Sequence, residues 1–124
     1  MSRLLVVEDD PAIMSLIVIL LERVGHSVIQ AGSAEEGIVL AVERRPDLIL
    51  MDVALPGMDG LEATRVLKAR QETSRIPVVA LTAQAMKQDA ERAASAGCDG
   101  FIVKPLSTDH VLREVAKHLA KGEG

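Results

Sequence analysis

Five short, mostly apolar runs punctuate this chain, each too short for a helix and each separated from the next by a stretch of helical period. They are Leu4–Val7, Val28–Ala31, Leu48–Met51, Pro77–Leu81 and Phe101–Val103. A strand that is apolar at every position, rather than at alternate ones, is covered on both faces, as strands of parallel sheets are. The intervening segments carry helix signals. Asp10 followed by Pro11 is a capping carboxylate before a proline at the first helical position. Ile13, Leu16, Ile17, Leu20, Leu21 and Val24 then recur at helical spacing, and Gly25 ends the run. Ser33 and Glu36 form a capping box for a second helix that stops at Arg44-Arg45-Pro46. Asp59 and Glu62 open a third, expected to reach about Glu72. A fourth is expected from about Gln84 to Ala96, closed by Gly97. Ser107 caps the last, with Leu106 and Val111 placed as a hydrophobic staple.

Strand and helix alternate five times, without repeat, linker or low-complexity interruption. This predicts an α/β fold: a doubly wound five-stranded parallel sheet with five helices, joined by right-handed crossovers. The flavodoxin-like strand order 2-1-3-4-5 is the common solution at this length. The 124 residues, 48 % of them apolar, suffice for one domain spanning 1–124 with its own core. A formal charge of −4 with no basic run leaves no electrostatic footprint for nucleic acid. No apolar stretch approaches the roughly 20 residues of a membrane span. The four apolar residues after Met1-Ser2-Arg3 are too few for a signal-peptide core. A single cysteine, Cys98, fits a reducing compartment, and the expected location is the cytoplasm.

In an open α/β sheet the functional crevice lies beyond the carboxyl ends of the strands. Glu8, Asp9 and Asp10 follow the first strand, Asp52 the third, Thr82 the fourth and Lys104 the fifth. The predicted order makes the first and third strands neighbours, so Glu8, Asp9 and Asp52 converge, flanked by Thr82 and Lys104. Clustered carboxylates repel one another unless protonated or bound to metal. An all-oxygen site with room for water suits Mg²⁺. A carboxylate can also attack phosphorus to give an aspartyl phosphate. Phosphoryl transfer needs positioning and charge neutralisation, which a cation, the Lys104 ammonium and the Thr82 hydroxyl can provide. The cluster therefore reads as a phosphoryl acceptor centred on Asp52.

These residues resemble the receiver domains of two-component response regulators. The motifs that carry the resemblance are Val7-Glu8-Asp9-Asp10, Met51-Asp52-Val53-Ala54-Leu55-Pro56-Gly57-Met58-Asp59-Gly60, Leu81-Thr82-Ala83 and Lys104-Pro105, in order along the whole chain. The resemblance implies that Asp52 is the phosphorylated residue and that Asp9 and Asp52 bind Mg²⁺ directly. The backbone carbonyl of Ala54 is a further implied ligand, and Glu8 acts through a metal-bound water. Thr82 and Lys104 are the implied phosphoryl partners, and Phe101 stands at the position of the family's switch aromatic. The Lys104–Pro105 bond is expected to be cis. The implied donor is a histidine kinase or a histidine phosphotransfer protein. The implied downstream protein reads the face built by the fourth helix, fifth strand and fifth helix. The chain would be a phosphorelay switch that catalyses only its own phosphorylation and dephosphorylation. No output domain is expected after the fifth helix, which runs into Lys121-Gly122-Glu123-Gly124. The segment Leu81–Lys87 resembles phosphorelay and hybrid-kinase receivers more than those of transcription factors. Ala54 departs from the usual pattern by offering no polar side chain next to the acceptor.

Asp10 and Asp59 read as helix caps rather than ligands. His26, His110 and His118 share no i, i+4 spacing and form no metal site. Cys98 reads as small buried filler. The alanine-rich fourth helix admits two readings, tight packing or a lightly anchored switch element. A haloacid-dehalogenase-like phosphatase would need a second aspartate where Ala54 stands. A docking module without phosphorylation would have no use for the acidic pair, Asp52, Thr82 and Lys104 together. Flavin binding would need stacking aromatics, and Phe101 is alone.

Overall fold

The computed structural model describes residues 2–83 and 87–123. Strands and helices alternate as β1 (Arg3–Val7), α1 (Pro11–Arg23), β2 (Ser27–Ala31), α2 (Ala34–Arg44) and β3 (Leu48–Asp52). They continue as α3 (Gly60–Ala69), β4 (Val78–Thr82), α4 (Lys87–Ala96), β5 (Gly100–Val103) and α5 (Thr108–Glu123). The strands form one parallel sheet in the order β2-β1-β3-β4-β5. The fold is the flavodoxin-like doubly wound sheet that the alternation of apolar runs predicts.

Successive side chains of a strand point to opposite faces, and the apolar runs divide accordingly. Leu4, Val6, Leu48, Leu50, Val79, Leu81 and Ile102 share a core with Met14, Ile17 and Leu21 of α1 and Val111 and Val115 of α5. Leu5, Val7, Ile49, Met51 and Val78 face Ala34 and Ala41 of α2 and Ala63 and Leu67 of α3. A third, smaller cluster joins Leu61 of α3, Ala80 of β4 and Ala93 and Ala96 of α4. Helices α1 and α5 therefore cover one face, and α2, α3 and α4 the other. Among the described side chains of α4, only Ala93 and Ala96 are buried. Two side chains this small bury little apolar area.

Helix ends follow local chemistry. The Asp10 carboxylate accepts from the amides of Ala12 and Ile13, at 2.9 and 3.3 Å, with Pro11 at the first helical position. Asp59 accepts from the Glu62 amide at 2.9 Å. Ser33 accepts from the Glu36 amide at 3.2 Å, but the Glu36 carboxylate accepts from Gly32, at 3.3 Å, one residue before the position a capping box predicts. Gly25 and Gly97 take positive φ after α1 and α4, as helix-ending glycines do. Leu106 packs on the core that contains Val111, as a staple requires. Helix α3 ends at Ala69, three residues before the expected Glu72, because Arg70 turns extended (φ −94°, ψ 133°). The buried Thr73 hydroxyl then donates to the Leu67 carbonyl at 2.6 Å, replacing a further turn of helix. The expected start of the fourth helix at Gln84 lies outside the described residues.

Leu50 is fully buried at the centre of β3, the middle strand of the sheet. Leu50→Ala should lower the unfolding free energy by about 2–5 kcal/mol, the range for truncating a large core side chain. Urea denaturation followed by circular dichroism measures it.

Candidate functional site

Strand register sets the site before any side chain is considered. Val7 of β1 lies opposite Met51 of β3, so the next residues, Glu8 and Asp52, leave neighbouring strands side by side. Asp52 lies opposite Leu81, and Thr82 opposite Val103 of β5, which places Thr82 and Lys104 one step further along the same edge. Backbone bonds carry the ladders past the strand ends. The Glu8 amide donates to Ala31 at 3.0 Å, the Val53 amide to Leu81 at 3.0 Å and the Lys104 amide to Thr82 at 2.7 Å.

Glu8 and Asp52 are each only 2 % exposed, whereas Asp9 is exposed. One carboxylate oxygen from each of the three lies within 4.8 Å of the other two. Lys104 reaches in from the end of β5. Its ammonium donates to Glu8 Oε1 at 3.0 Å and stands 3.3 Å from Asp52 Oδ2. The Asp52 carboxylate also accepts from the Ala54 amide at 3.1 Å, which folds the start of the β3–α3 loop around it. Glu8 Oε2 accepts from the Asp10 amide at 3.1 Å.

Burial and neighbouring charge act on two of these groups. Burial pushes the Glu8 carboxyl above the usual range, and the neighbouring Asp52 pushes it further, outweighing the Asp10 amide and Lys104. Burial works against the Lys104 ammonium, but Glu8 and Asp52 overcome it and hold the lysine above its ordinary value. Among the described residues, three carboxyl groups gather about one ammonium, an excess of acidic groups over basic ones. Hard oxygen donors, two buried and one open to solvent, with no nitrogen or sulfur atom among them, are the donor set a small divalent cation takes.

The remaining residues are placed as follows. Thr82 is half-buried at the end of β4 and Ala54 is exposed in the β3–α3 loop. The Lys104–Pro105 peptide bond is cis. Phe101 is half-buried against the cluster of Leu61, Ala80, Ala93 and Ala96. It also borders a cavity between α4 and α5 whose walls include Ala90, Ala94, Glu114 and His118. The helix-cap readings of Asp10 and Asp59 match the bonds they make. Among the described residues, Glu8, Asp9 and Asp52 are the one group of three or more acidic, histidine or cysteine side chains close enough to share a cation. Cys98 is half-buried, with its thiol donating toward Thr64 Oγ1 at 3.8 Å, and burial pushes that thiol up. Sequence reasoning assigned Lys104 to an incoming group and missed its bond to Glu8. It named Gly60 only as the end of a motif and gave it no role of its own.

Comparison with known proteins bears on this arrangement. The family model of the response regulator receiver domain matches residues 4–116. The polar-differentiation response regulators DivK of Brucella ovis and Brucella suis are each 43 % identical to this chain over 115 residues, covering 93 % of it and 94 % of DivK. A putative response regulator from Chloroflexus aurantiacus superposes with a TM-score of 0.93 at 28 % identity, over 96 % of this chain and 98 % of that one. The receiver domain of the sensor histidine kinase PA1611 from Pseudomonas aeruginosa is 32 % identical, with a TM-score of 0.89 over 96 % of this chain and 98 % of its own. That structure carries a magnesium ion coordinated in its active-site cleft. An acid cluster at the carboxyl edge of a 2-1-3-4-5 sheet, and a family match across nearly the whole chain, lead to one conclusion: this chain belongs to the response regulator receiver domains of two-component phosphorelay signalling.

Proposed function

We propose that Asp52 accepts a phosphoryl group from a phosphohistidine on a histidine kinase or a histidine phosphotransfer protein. The observation that carries this reading is a buried Asp52 carboxylate held 3.3 Å from the Lys104 ammonium, with Glu8 and Asp9 alongside. An Asp52 carboxylate oxygen attacks phosphorus. The bond from phosphorus to the donor's imidazole nitrogen breaks, and its electron pair stays on that nitrogen. Lys104 then pairs with a phosphoryl oxygen in place of part of its contact with Asp52. Thr82, one step along the edge from the residue opposite Asp52, donates its hydroxyl to another. Asp9, Asp52 and the Ala54 carbonyl would hold Mg²⁺, with Glu8 acting through a water. A bound magnesium ion would offset negative charge on the phosphoryl oxygens. Ala54 offers no carboxyl to act as general acid, which favours a phosphoryl acceptor over a phosphatase. The chain works in the cytoplasm as a signalling protein and catalyses only its own phosphorylation and dephosphorylation.

The output is a shape change. Movement of Thr82 toward the phosphoryl group opens space into which Phe101 turns from the cavity between α4 and α5. Two states can exchange only if they lie close in energy. The two small buried side chains described on α4, Ala93 and Ala96, leave little apolar area to repack. The surface that changes is α4, β5 and α5, and a downstream protein reads it there.

Incubation with acetyl phosphate and Mg²⁺, followed by intact mass, should give one labile phosphoryl adduct on the wild type and none on Asp52→Asn. An adduct on Asp52→Asn would remove Asp52 as the acceptor. Mg²⁺ at about 100 times its dissociation constant should add ~2.7 kcal/mol to stability. The pH dependence has a definite sign. A carboxyl raised in the folded state favours folding below its unfolded pKa, and that contribution is lost as pH rises through the folded one. Metal-free protein should therefore lose stability as pH rises above the ordinary glutamate range through the elevated Glu8 value. Glu8→Gln should flatten that slope in thermal melts. For the switch, Thr82→Ala should still take phosphate on Asp52, while amide shifts at Phe101 and along α4 shrink relative to the wild type. Wild-type shifts confined to the acidic pocket would rule the switch out.

A further inference from the structure

Beyond the acidic cluster, the backbone of Asp52 has a neighbour that no side-chain chemistry reveals. Helix α3 begins at Gly60, and its first turn lies directly against the end of β3. The Gly60 amide donates to the Val53 carbonyl at 3.2 Å. The buried Thr64 hydroxyl donates back to the Gly60 carbonyl at 2.8 Å. A Cβ on residue 60 would overlap the Asp52 carbonyl oxygen and lie 2.8 Å from its carbonyl carbon. It would also stand 3.0 Å from Met51 Cγ. Gly60 is not among the glycines with positive φ, which are Gly25, Gly57 and Gly97. The site therefore demands the absence of a side chain for space alone. Because the obstacle is backbone, no rotamer change can relieve it.

Gly37 makes an informative contrast. It is buried in α2, and a Cβ there would stand 2.7 Å from Val7 Cγ2. That obstacle is the end of a side chain, which can shift without moving the strand. Both glycines are tightly packed, but only Gly60 bears on the peptide of the acceptor residue.

We propose that Gly60 is a positioning residue for Asp52: its bare Cα lets the first turn of α3 close on the acceptor's own backbone and fix where the carboxylate points. The inference rests on Asp52 as the phosphoryl acceptor. Attack on phosphorus requires the carboxylate oxygen, phosphorus and leaving nitrogen nearly in line. A side chain at position 60 must push either α3 or the Asp52 peptide aside. Displacing that peptide turns the Cα–Cβ bond and loosens the bond from the Ala54 amide to the carboxylate, now 3.1 Å. Thr64 assists by holding the Gly60 carbonyl in place.

The test compares the wild type with Gly60→Ala, Gly37→Ala and Thr64→Val, well below each melting temperature. Acetyl phosphate with Mg²⁺ is the donor, and intact mass gives the rate. The Ala54 amide resonance reports the bond to the Asp52 carboxylate without phosphorylation. Gly60→Ala should phosphorylate about 10–100-fold more slowly, the scale of an ångström misplacement, with the Ala54 amide displaced. Gly37→Ala should lose melting temperature yet keep the wild-type rate and the wild-type Ala54 resonance. A Gly60→Ala protein with unchanged rate and unchanged Ala54 resonance overturns the proposal, as does a Gly37→Ala protein equally slowed. If Gly60→Ala does not fold, Thr64→Val decides: a slower rate with a moved Ala54 amide supports the proposal, and wild-type values of both overturn it. A wild type that takes up no phosphoryl group removes the acceptor reading. The Ala54 resonance of Gly60→Ala then still shows whether Gly60 sets the carboxylate.

Discussion

The Lys104 ammonium, shared between two buried carboxylates on two other strands, is the interaction on which the rest of this structure depends. Glu8 follows β1, Asp52 ends β3 and Lys104 follows β5. Bringing one atom of Lys104 to 3.0 and 3.3 Å from the other two requires every intervening register to be right. A slip of one residue in any strand would send that side chain to the opposite face. Removing one member would leave a buried charge uncompensated, the costly way to break such a pair.

Much of this was legible in the sequence because it depends on period and punctuation. Runs such as Leu48–Met51 announce a strand covered on both sides, and Asp10-Pro11 announces a helix start. The convergence of Glu8, Asp9 and Asp52 followed from the strand order alone. What was less legible depends on contacts between distant residues. The end of α3 at Ala69 follows from Thr73 reaching back to Leu67, a bond that no window of helical periodicity contains. The Glu36 carboxylate found Gly32 rather than Ser33 because the approach of the chain decides which amide is nearest. The lysine's grip on Glu8 spans 96 positions of sequence. The closeness of Gly60 to Asp52 is a matter of tenths of an ångström between backbones.

Helix α4 is anchored at its carboxyl end. At its carboxyl end, Gly97 and Cys98 donate to Ala94 and Ala93, and Asp99 then enters a polar clasp. Lys68 of α3 donates to the Ile76 carbonyl at 2.7 Å and to Asp99 at 3.0 Å, while Asp99 accepts from the Val78 amide at 2.8 Å. Along its length the buried side chains described on α4 are two alanines, Ala93 and Ala96.

Phe101 carries a consequence of a different kind. With no tryptophan or tyrosine in the chain, it is the sole benzenoid ring. The protein is nearly transparent at 280 nm and has no intrinsic tryptophan or tyrosine fluorescence. Its near-ultraviolet circular dichroism and its phenyl ring protons therefore come from one place, between the core of Leu61 and Ala80 and the α4–α5 cavity. A tryptophan introduced at a distant surface position would be a clean optical probe, without background from the rest of the chain.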